Sequence, residues 1–248
     1  MTGPATAGAA AHVFVVALTD TCTIDGPDGH HLERVRRLQT GELVTAADDS
    51  GAWRAYEISA TERGALTLRA TGPVQQEPAP AIEITLAAAL TKAGLDDVVA
   101  AVTELGVAGV MPLRTERTVV RWDAARAARV VGRLGGIARE AAMQSRRTRI
   151  PVVHPATDLR AVAGRPGVIV ADRSGHSAGA FTTPATAAWT VVVGPEGGFS
   201  DEELDMLDPA PRLSVGPNVL RATTAPVAAV AVLAALAAGA GLALPDSG

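Results

Sequence analysis

The sequence predicts a two-part chain, a small β-barrel followed by a larger α/β domain built on a parallel sheet. Three observations predict it. Short β-like segments separated by turn-rich pieces fill the N-terminal part, and the run TGPVQQEPAP, with three prolines and no apolar period, then interrupts the pattern. Beyond it, strand-like and helix-like stretches alternate, and runs such as Val168-Ile169-Val170-Ala171 and Thr190-Val191-Val192-Val193 are apolar at nearly every position. Strands of that kind are covered on both faces, as in a parallel sheet between helices. The boundaries follow as a barrel over 1–73, a linker over 74–80 and an α/β domain over 81–248.

Taken in order, the barrel strands are expected at His12 to Leu18, Leu43 to Ala47, Trp53 to Ser59 and Ala65 to Ala70. The pieces Asp25-Gly26-Pro27-Asp28-Gly29 and Asp48-Asp49-Ser50-Gly51 serve as turns between them. In the second part, a strand at Ala81 to Ala87 leads to a helix with Leu95, Val98, Val99, Val102 and Leu105 on one face, closed by Gly106. A strand at Val107 to Pro112 follows. A long helix from about Asp123 to Ser145 carries Val130, Leu134, Ile137 and Ala141 on one face and Arg126, Arg129 and Arg133 on another, with Gly135-Gly136 weakening its middle. Further strands are expected at Val152-Val153, Gly167 to Ala171, Trp189 to Val193 and Arg212 to Val215. Ser200 with Glu203 three residues on is a capping-box spacing, so a helix begins there. Thr223-Thr224 before Ala225-Pro226 announces the last helix.

At 248 residues, 48% hydrophobic, with a mean hydropathy of +0.21, the chain can bury the cores of two modest domains. The lone Cys22 excludes an internal disulfide framework and a multi-cysteine metal site, as expected of a reduced, cytoplasmic compartment; no metal is expected. Met1 to His12 lacks the basic start and long apolar core of a signal peptide. Ala225 to Leu244 is free of charge and about as long as a bilayer requires. It is nevertheless dominated by Ala and carries Pro226, Gly239 and Gly241, which predicts a helix buried within the protein or between subunits rather than a membrane span.

The net charge is −4, yet 10 of the 22 basic residues fall between Arg114 and Arg149 against only Glu116, Asp123 and Glu140. Such a local field can hold phosphates on an acidic protein. The alternative is that Arg is scattered over solvated helix faces by an Ala- and Arg-rich composition. Charge alone leaves both open.

Two loops carry the chemical signal. Gly194-Pro195-Glu196-Gly197-Gly198-Phe199 joins a strand end to a helix start, where glycines let backbone groups approach a ligand. It lacks the Lys-Ser/Thr of a P-loop and the G-x-G-x-x-G spacing, so nucleotide phosphates fit it poorly, and a plain surface turn has the same composition. The second loop, Leu213-Ser214-Val215-Gly216-Pro217-Asn218-Val219-Leu220-Arg221-Ala222-Thr223-Thr224-Ala225, sets Arg221 beside an apolar helix start. That guanidinium either pairs with an acid such as Glu196 or Asp172 or faces a charged substrate.

Together the loops resemble the paired cofactor loops of the RsmE family of SPOUT RNA methyltransferases, whose second loop commonly reads Leu-Gly-x-x-Ile-Leu-Arg-x-Glu-Thr-Ala. Four further blocks match in order. Gly29-His30-His31-Leu32-Glu33-Arg34-Val35-Arg36-Arg37-Leu38 is similar to the His-His-Leu-x-x-Val-Leu-Arg element of the family's PUA-like barrel. Thr103-Glu104-Leu105-Gly106-Val107, Glu116-Arg117-Thr118-Val119-Val120 and Glu140-Ala141-Ala142-Met143-Gln144-Ser145 resemble other family blocks, so the likeness covers nearly the whole chain. Three positions depart from the pattern: Thr223 stands at the acidic position, Gln144-Ser145-Arg146-Arg147 replaces Gln-Ser-Gly-Arg, and Lys92-Ala93 replaces Lys-Gly.

The resemblance implies a C-terminal SPOUT domain tied in a trefoil knot, a bent S-adenosyl-L-methionine as methyl donor, and a homodimer with no membrane or metal partner. It also implies methylation of N3 of a specific uridine in 16S rRNA, free or within the 30S subunit. The N3 proton is weakly acidic, so Arg221 is expected to stabilise the anionic ring or orient a phosphate, with Glu196 or water accepting the proton. Ala171, Val193, Gly194, Gly197, Gly198, Leu213, Val215, Gly216, Asn218, Val219, Leu220, Thr224 and Ala225 are expected to hold the donor. His30, Arg34, Arg36, Arg37, Arg117, Arg146 and Arg147 are expected to grip RNA. For His30-His31 a barrel turn with one ring partly buried is the alternative. Two rival functions are a Rossmann-type methyltransferase or oxidoreductase using Val168 to Gly175 as strand and glycine loop, and a non-catalytic rRNA-binding assembly factor.

Overall fold

The computed structural model describes residues 8–90, 94–118, 122–182 and 184–240. Lys92, Ala93, Val119, Val120, Arg121 and residues 241–244 of the apolar C-terminal run lie outside the described residues. The chain divides into two compact units, Met1–Ala79 with Glu140–Ile150, and Pro80–Arg139 with Pro151–Gly248.

The first unit is a six-stranded mixed sheet. Its strands are β1 (Ala11–Phe14), β2 (Thr21–Ile24), β3 (Leu43–Ala47), β4 (Ala52–Glu62), β5 (Ala65–Ala70) and β6 (Gln75–Gln76), in the order β1-β3-β4-β5-β2 with β6 on β4. Among the described residues of this unit, only the β1–β3 pair is parallel. Alternate residues of β4 and β5, Tyr56, Ile58, Leu66 and Leu68, point into one cluster with Val13, Leu32 and Val44. That period of two is what a strand with one covered face requires.

Several expectations need correction here. The segment 25–29 is not a turn: Gly26–His30 forms helix α1, which continues as a π-helical turn over His31–Val35. Pro27 sits in its first turn, where a fixed φ favours a helix start, so the turn residues double as a start signal. The first strand ends at Phe14 rather than Leu18, and β2 around Cys22 was not foreseen. The expected linker is partly strung onto the sheet, with Gln75 and Gln76 paired to β4 and the Glu77 amide donating to the Gly51 carbonyl at 2.9 Å.

The second unit is a seven-stranded sheet. Its strands are β7 (Glu83–Ala89), β8 (Gly109–Arg114), β9 (Val152–Val153), β10 (Thr157–Asp158), β11 (Val168–His176), β12 (Ala188–Val193) and β13 (Arg212–Leu213). Every pair is parallel, in the order β10-β8-β7-β12-β11-β13 with β9 on β8. Helices α2 (Leu95–Glu104), α3 (Ala124–Gln144), α4 (Asp201–Leu207) and α5 (Thr224–Ala240) connect or follow these strands. Val98, Val99 and Val102 of α2, Leu134 of α3, and Ala229, Val230 and Leu233 of α5 share one buried cluster with β7 and β12. No helix among the described residues is long and apolar enough to cross a membrane.

The Gly135-Gly136 pair does not break α3, whose buried Leu134 and Ala138 anchor that stretch. Strand β11 runs on to His176, so Asp172-Arg173-Ser174-Gly175 is strand and not the glycine loop a Rossmann-type reading needs.

Candidate functional site at the carboxyl edge of the parallel sheet

Because all seven strands are parallel, their carboxyl ends lie on one edge. Strands β7 and β12 are neighbours, yet β8, which follows β7, lies to one side and β13, which follows β12, to the other. Neighbouring strands whose successors diverge open a crevice at their carboxyl ends, where open α/β sheets bind ligands. The exits of β7, β8, β12 and β13 meet there.

Two sets of contacts knit these exits together. Thr223 from the β13 exit lies against Gly94 of the β7 exit, where an added Cβ would come within 2.5 Å of its Cγ2 atom. Gly94 also has a φ of 83°, and so cannot be replaced without strain. From the β8 exit, the Arg117 guanidinium donates to the Gly197 carbonyl at 2.9 Å, and the Glu116 amide donates to the buried Glu203 carboxylate at 2.8 Å. The other Glu203 oxygen accepts the Ser200 amide at 3.0 Å, completing the capping box that starts α4. Glu203 therefore caps α4 and pins a neighbouring loop.

The candidate donor-holding residues gather on this edge. Val193 ends β12, Leu213 ends β13, and Ala171 lies in β11 between them. The loops after β12 and β13 thus leave the sheet two strand spacings apart, about 10 Å. Gly198 and Gly216 have φ of 69° and 154°, and a Cβ on either would meet nothing within 4 Å, so the backbone there is open to a ligand. Gly194 lies under the Phe199 ring. Val215, Gly216 and Leu220 are half-buried, Asn218 is exposed, and Val219 is 81% exposed, an uncovered apolar side chain in the loop. Thr224 and Ala225 form the first turn of α5. Glu196 and Arg221 are exposed, and among the described residues neither has an ion pair; Asp172 is instead engaged by Arg212 at 3.1 Å. Burial pushes the Asp172 carboxyl up, but hydrogen bonds from Ser174 and the Arg212 charge hold it below its usual range.

The candidate RNA-contacting residues divide between the units. Arg117 belongs to the sheet edge as a loop clamp, a role that spacing does not signal. His30, Arg34 and Arg37 are exposed on the first unit. Arg36 donates to the Ala10 carbonyl at 2.7 Å and lines a cavity of about 720 Å³ together with Arg146. Arg147 is half-buried; burial pulls its guanidinium below the ordinary range while Glu77 opposes that.

His12 escaped the sequence reading. It is buried in β1, its Nε2 donating to the Arg147 carbonyl at 2.9 Å and its Nδ1 accepting from the Thr45 hydroxyl at 2.8 Å. Both contacts suit a neutral ring, and burial lowers its pKa from 6.5 to about 4. It ties the segment 140–150 to the strands of the first unit.

Comparison with known proteins places this geometry in a family context. Residues 77–234 match the family described as RNA methyltransferase domain, and residues 24–71 match the RNA methyltransferase PUA domain. A ribosomal RNA small subunit methyltransferase E of Synechocystis sp. is 34% identical over 233 residues, covering 87% of this chain and 73% of that protein. The crystal structure of a ribosomal RNA small subunit methyltransferase E from Neisseria gonorrhoeae bound to S-adenosyl methionine superposes with a TM-score of 0.77. It is 27% identical and covers 91% of this chain and 97% of that one. A Legionella pneumophila protein in complex with the cofactor SAM gives a TM-score of 0.80 at 25% identity, with 91% and 97% covered.

Proposed function

Since the chain belongs to the RNA methyltransferase family, in its ribosomal RNA small subunit methyltransferase E branch, we propose that it transfers a methyl group from S-adenosyl-L-methionine to N3 of a uridine in 16S rRNA, the family's uridine 1498. The observation that carries this reading is the meeting of four strand exits at the point where the sheet's connections diverge. Glycine backbone there is open, and an apolar side chain, Val219, is uncovered. Those groups fit the donor: Val215, Val219 and Leu220 offer apolar cover for an adenine, while the peptide groups around Gly194, Gly198 and Gly216 offer hydrogen bonds. When bound, the donor supplies an electrophilic methyl on a sulfonium.

The chain's own contribution is to bind, orient and neutralise. Arg221, exposed and without an ion pair among the described residues, is available to a uridine anion or its phosphate. Glu196, likewise exposed, is the side chain in the first loop able to accept the N3 proton. Thr223 lies against Gly94. Position 223, acidic in the family pattern, offers a hydroxyl in place of a carboxylate, so the proton acceptor is sought elsewhere. A second copy of the chain seated on the Ala-rich, half-buried surface of α5 completes the working unit, and the trefoil knot implied by the family likeness fits a sheet in which β12 is laid between β7 and β11.

Calorimetry with S-adenosylmethionine tests the donor half of the reading: saturable one-to-one uptake is expected, and no heat leaves only an RNA-binding protein. Nucleoside analysis of 16S rRNA from a strain lacking the protein tests the target. A full complement of N3-methyluridine in that RNA refutes the assignment.

A further inference from the structure

Helix α3 ends in a hydrogen-bond pattern that normally calls for glycine. The Arg147 amide donates to the Ala142 carbonyl at 2.9 Å and the Arg146 amide to the Met143 carbonyl at 3.2 Å, the two bonds of a Schellman motif. Its left-handed position is Arg146, with a φ of 59°. A side chain there costs about 1 kcal/mol relative to glycine, so an arginine at this place carries a cost that the helix end does not explain.

The side chain leads to what the backbone does not explain. Arg146 lines the cavity of about 720 Å³ in the first unit; one of its terminal nitrogens donates to the Ala9 carbonyl, while Nη1 is buried without a hydrogen-bond partner. A guanidinium N–H kept from water and unpaired costs on the order of 1–3 kcal/mol. Strain and an orphaned donor thus coincide on one residue at the wall of one cavity, which is within the range of about 300–1,000 Å³ typical of small-ligand pockets.

The rest of the wall indicates the ligand. Val13, Leu32 and Met143 supply apolar surface, and Asp28 and Glu140 offset the charges of Arg36 and Arg146. His12, also on the wall, is uncharged at neutral pH because burial lowers its pKa, and its ring nitrogens are already engaged. His31 and Gln144 complete the polar groups. A wall whose charges balance favours a neutral molecule with donors and acceptors on its rim and a flat apolar body over a phosphate. Proteins that read single-stranded RNA bind splayed bases in that way. We infer that this cavity takes one unstacked base of the substrate RNA, and that the Arg146 guanidinium turns on binding so that Nη1, shut off and unpaired in the free chain, donates to a base carbonyl or ring nitrogen. The inference rests on the RNA-modifying reading above and adds to it a second contact, made within the first unit.

The test is Arg146→Gly, which installs the residue the helix end prefers and removes the guanidinium. Binding of transcribed 16S rRNA to the full chain is measured across a salt series, together with thermal stability and S-adenosylmethionine affinity. The expected result is a loss of about tenfold in RNA affinity, the value of one good base contact, with an unchanged salt slope, unchanged donor affinity and an equal or higher melting temperature. RNA affinity equal to wild type overturns the inference, even if the wild-type protein methylates normally. A salt slope lowered by about one marks a phosphate contact and overturns the base assignment. Should the wild type fail to methylate while Arg146→Gly still weakens RNA binding with the slope unchanged, the cavity stands and the proposed reaction falls.

Discussion

The two candidate sites, one in each unit, fill left-handed backbone positions in opposite ways. At the carboxyl edge of the parallel sheet, Gly94, Gly198 and Gly216 hold φ of 83°, 69° and 154°, and the loops expose peptide groups with few charged side chains. At the end of α3 the same kind of position holds Arg146, and the cavity beside it is walled by side chains, charged and apolar. The difference separates a site made of backbone from a site made of side chains. A backbone site tolerates change only where no Cβ is needed and leaves a glycine pattern in the sequence. A side-chain site leaves no local pattern, because its members come from positions 10–36 and 140–146.

The largest effect expected at the backbone-built edge comes from the charge it does contain. Arg221→Ala is predicted to lower the methyl-transfer rate by about 10²–10³, the usual loss for one group that stabilises developing negative charge. Donor affinity, measured separately by calorimetry, is predicted to stay within about twofold. If turnover is unchanged, Arg221 has no part in catalysis.

The next effect belongs to the side-chain-built unit and is read by pH. Above pH 6.5 His12 is neutral in both the folded and the unfolded chain; between 6.5 and about 4 only the unfolded chain takes up a proton. Stability is therefore full above the unfolded value and falls as pH drops through that window, by about 3 kcal/mol at the lower end. Denaturant midpoints of the wild type and of His12→Gln across that range check it. Gln offers a donor and an acceptor but no titration, so the gap between the two proteins is expected to close on acidification. A gap that does not change with pH shows that His12 titrates normally.

The same contrast decides what the sequence makes legible. The parallel sheet is readable from Val168 to Ala171 and Thr190 to Val193, because stretches covered on both faces are mostly apolar, and these stretches lie within the longer observed β11 and β12. The loops at 194–199 and 213–225 were readable because glycine beside a helix cap is a local signal, and Ser200 with Glu203 forms the expected capping box. What could not be read depends on long-range partners. Nothing near Arg117 signals that its guanidinium holds the Gly197 carbonyl, 80 positions away. His12 binding the Arg147 carbonyl, at a separation of 135, is equally silent, and so the residues from Glu140 to Ile150 were grouped with the C-terminal part although they pack in the first unit. Turn composition misled at 25–29, where Pro27 starts a helix.

The smallest effect probes a buried side chain that helps to shape the sheet edge. Glu203 is 5% exposed and accepts two backbone amides, from Glu116 in the β8 exit and from Ser200 at the start of α4. Glu203→Ala leaves both donors without this acceptor and is predicted to cost about 2 kcal/mol of stability, little more than one charged hydrogen bond because the loosened loop regains water. Glu203→Gln keeps one carbonyl oxygen and turns an NH₂ toward the other amide, so it is predicted to recover about half of that loss. Donor affinity measured on the two variants sharpens the comparison. If Glu203 only caps α4, affinity stays at the wild-type value in both. If it also sets the loop against the β8 exit, affinity falls in step with stability, more in the Ala variant than in the Gln variant. The second outcome is expected, since the Arg117 clamp on Gly197 and the Glu203 bond to Glu116 hold the same two strand exits and loosening one leaves the other to carry the strain alone.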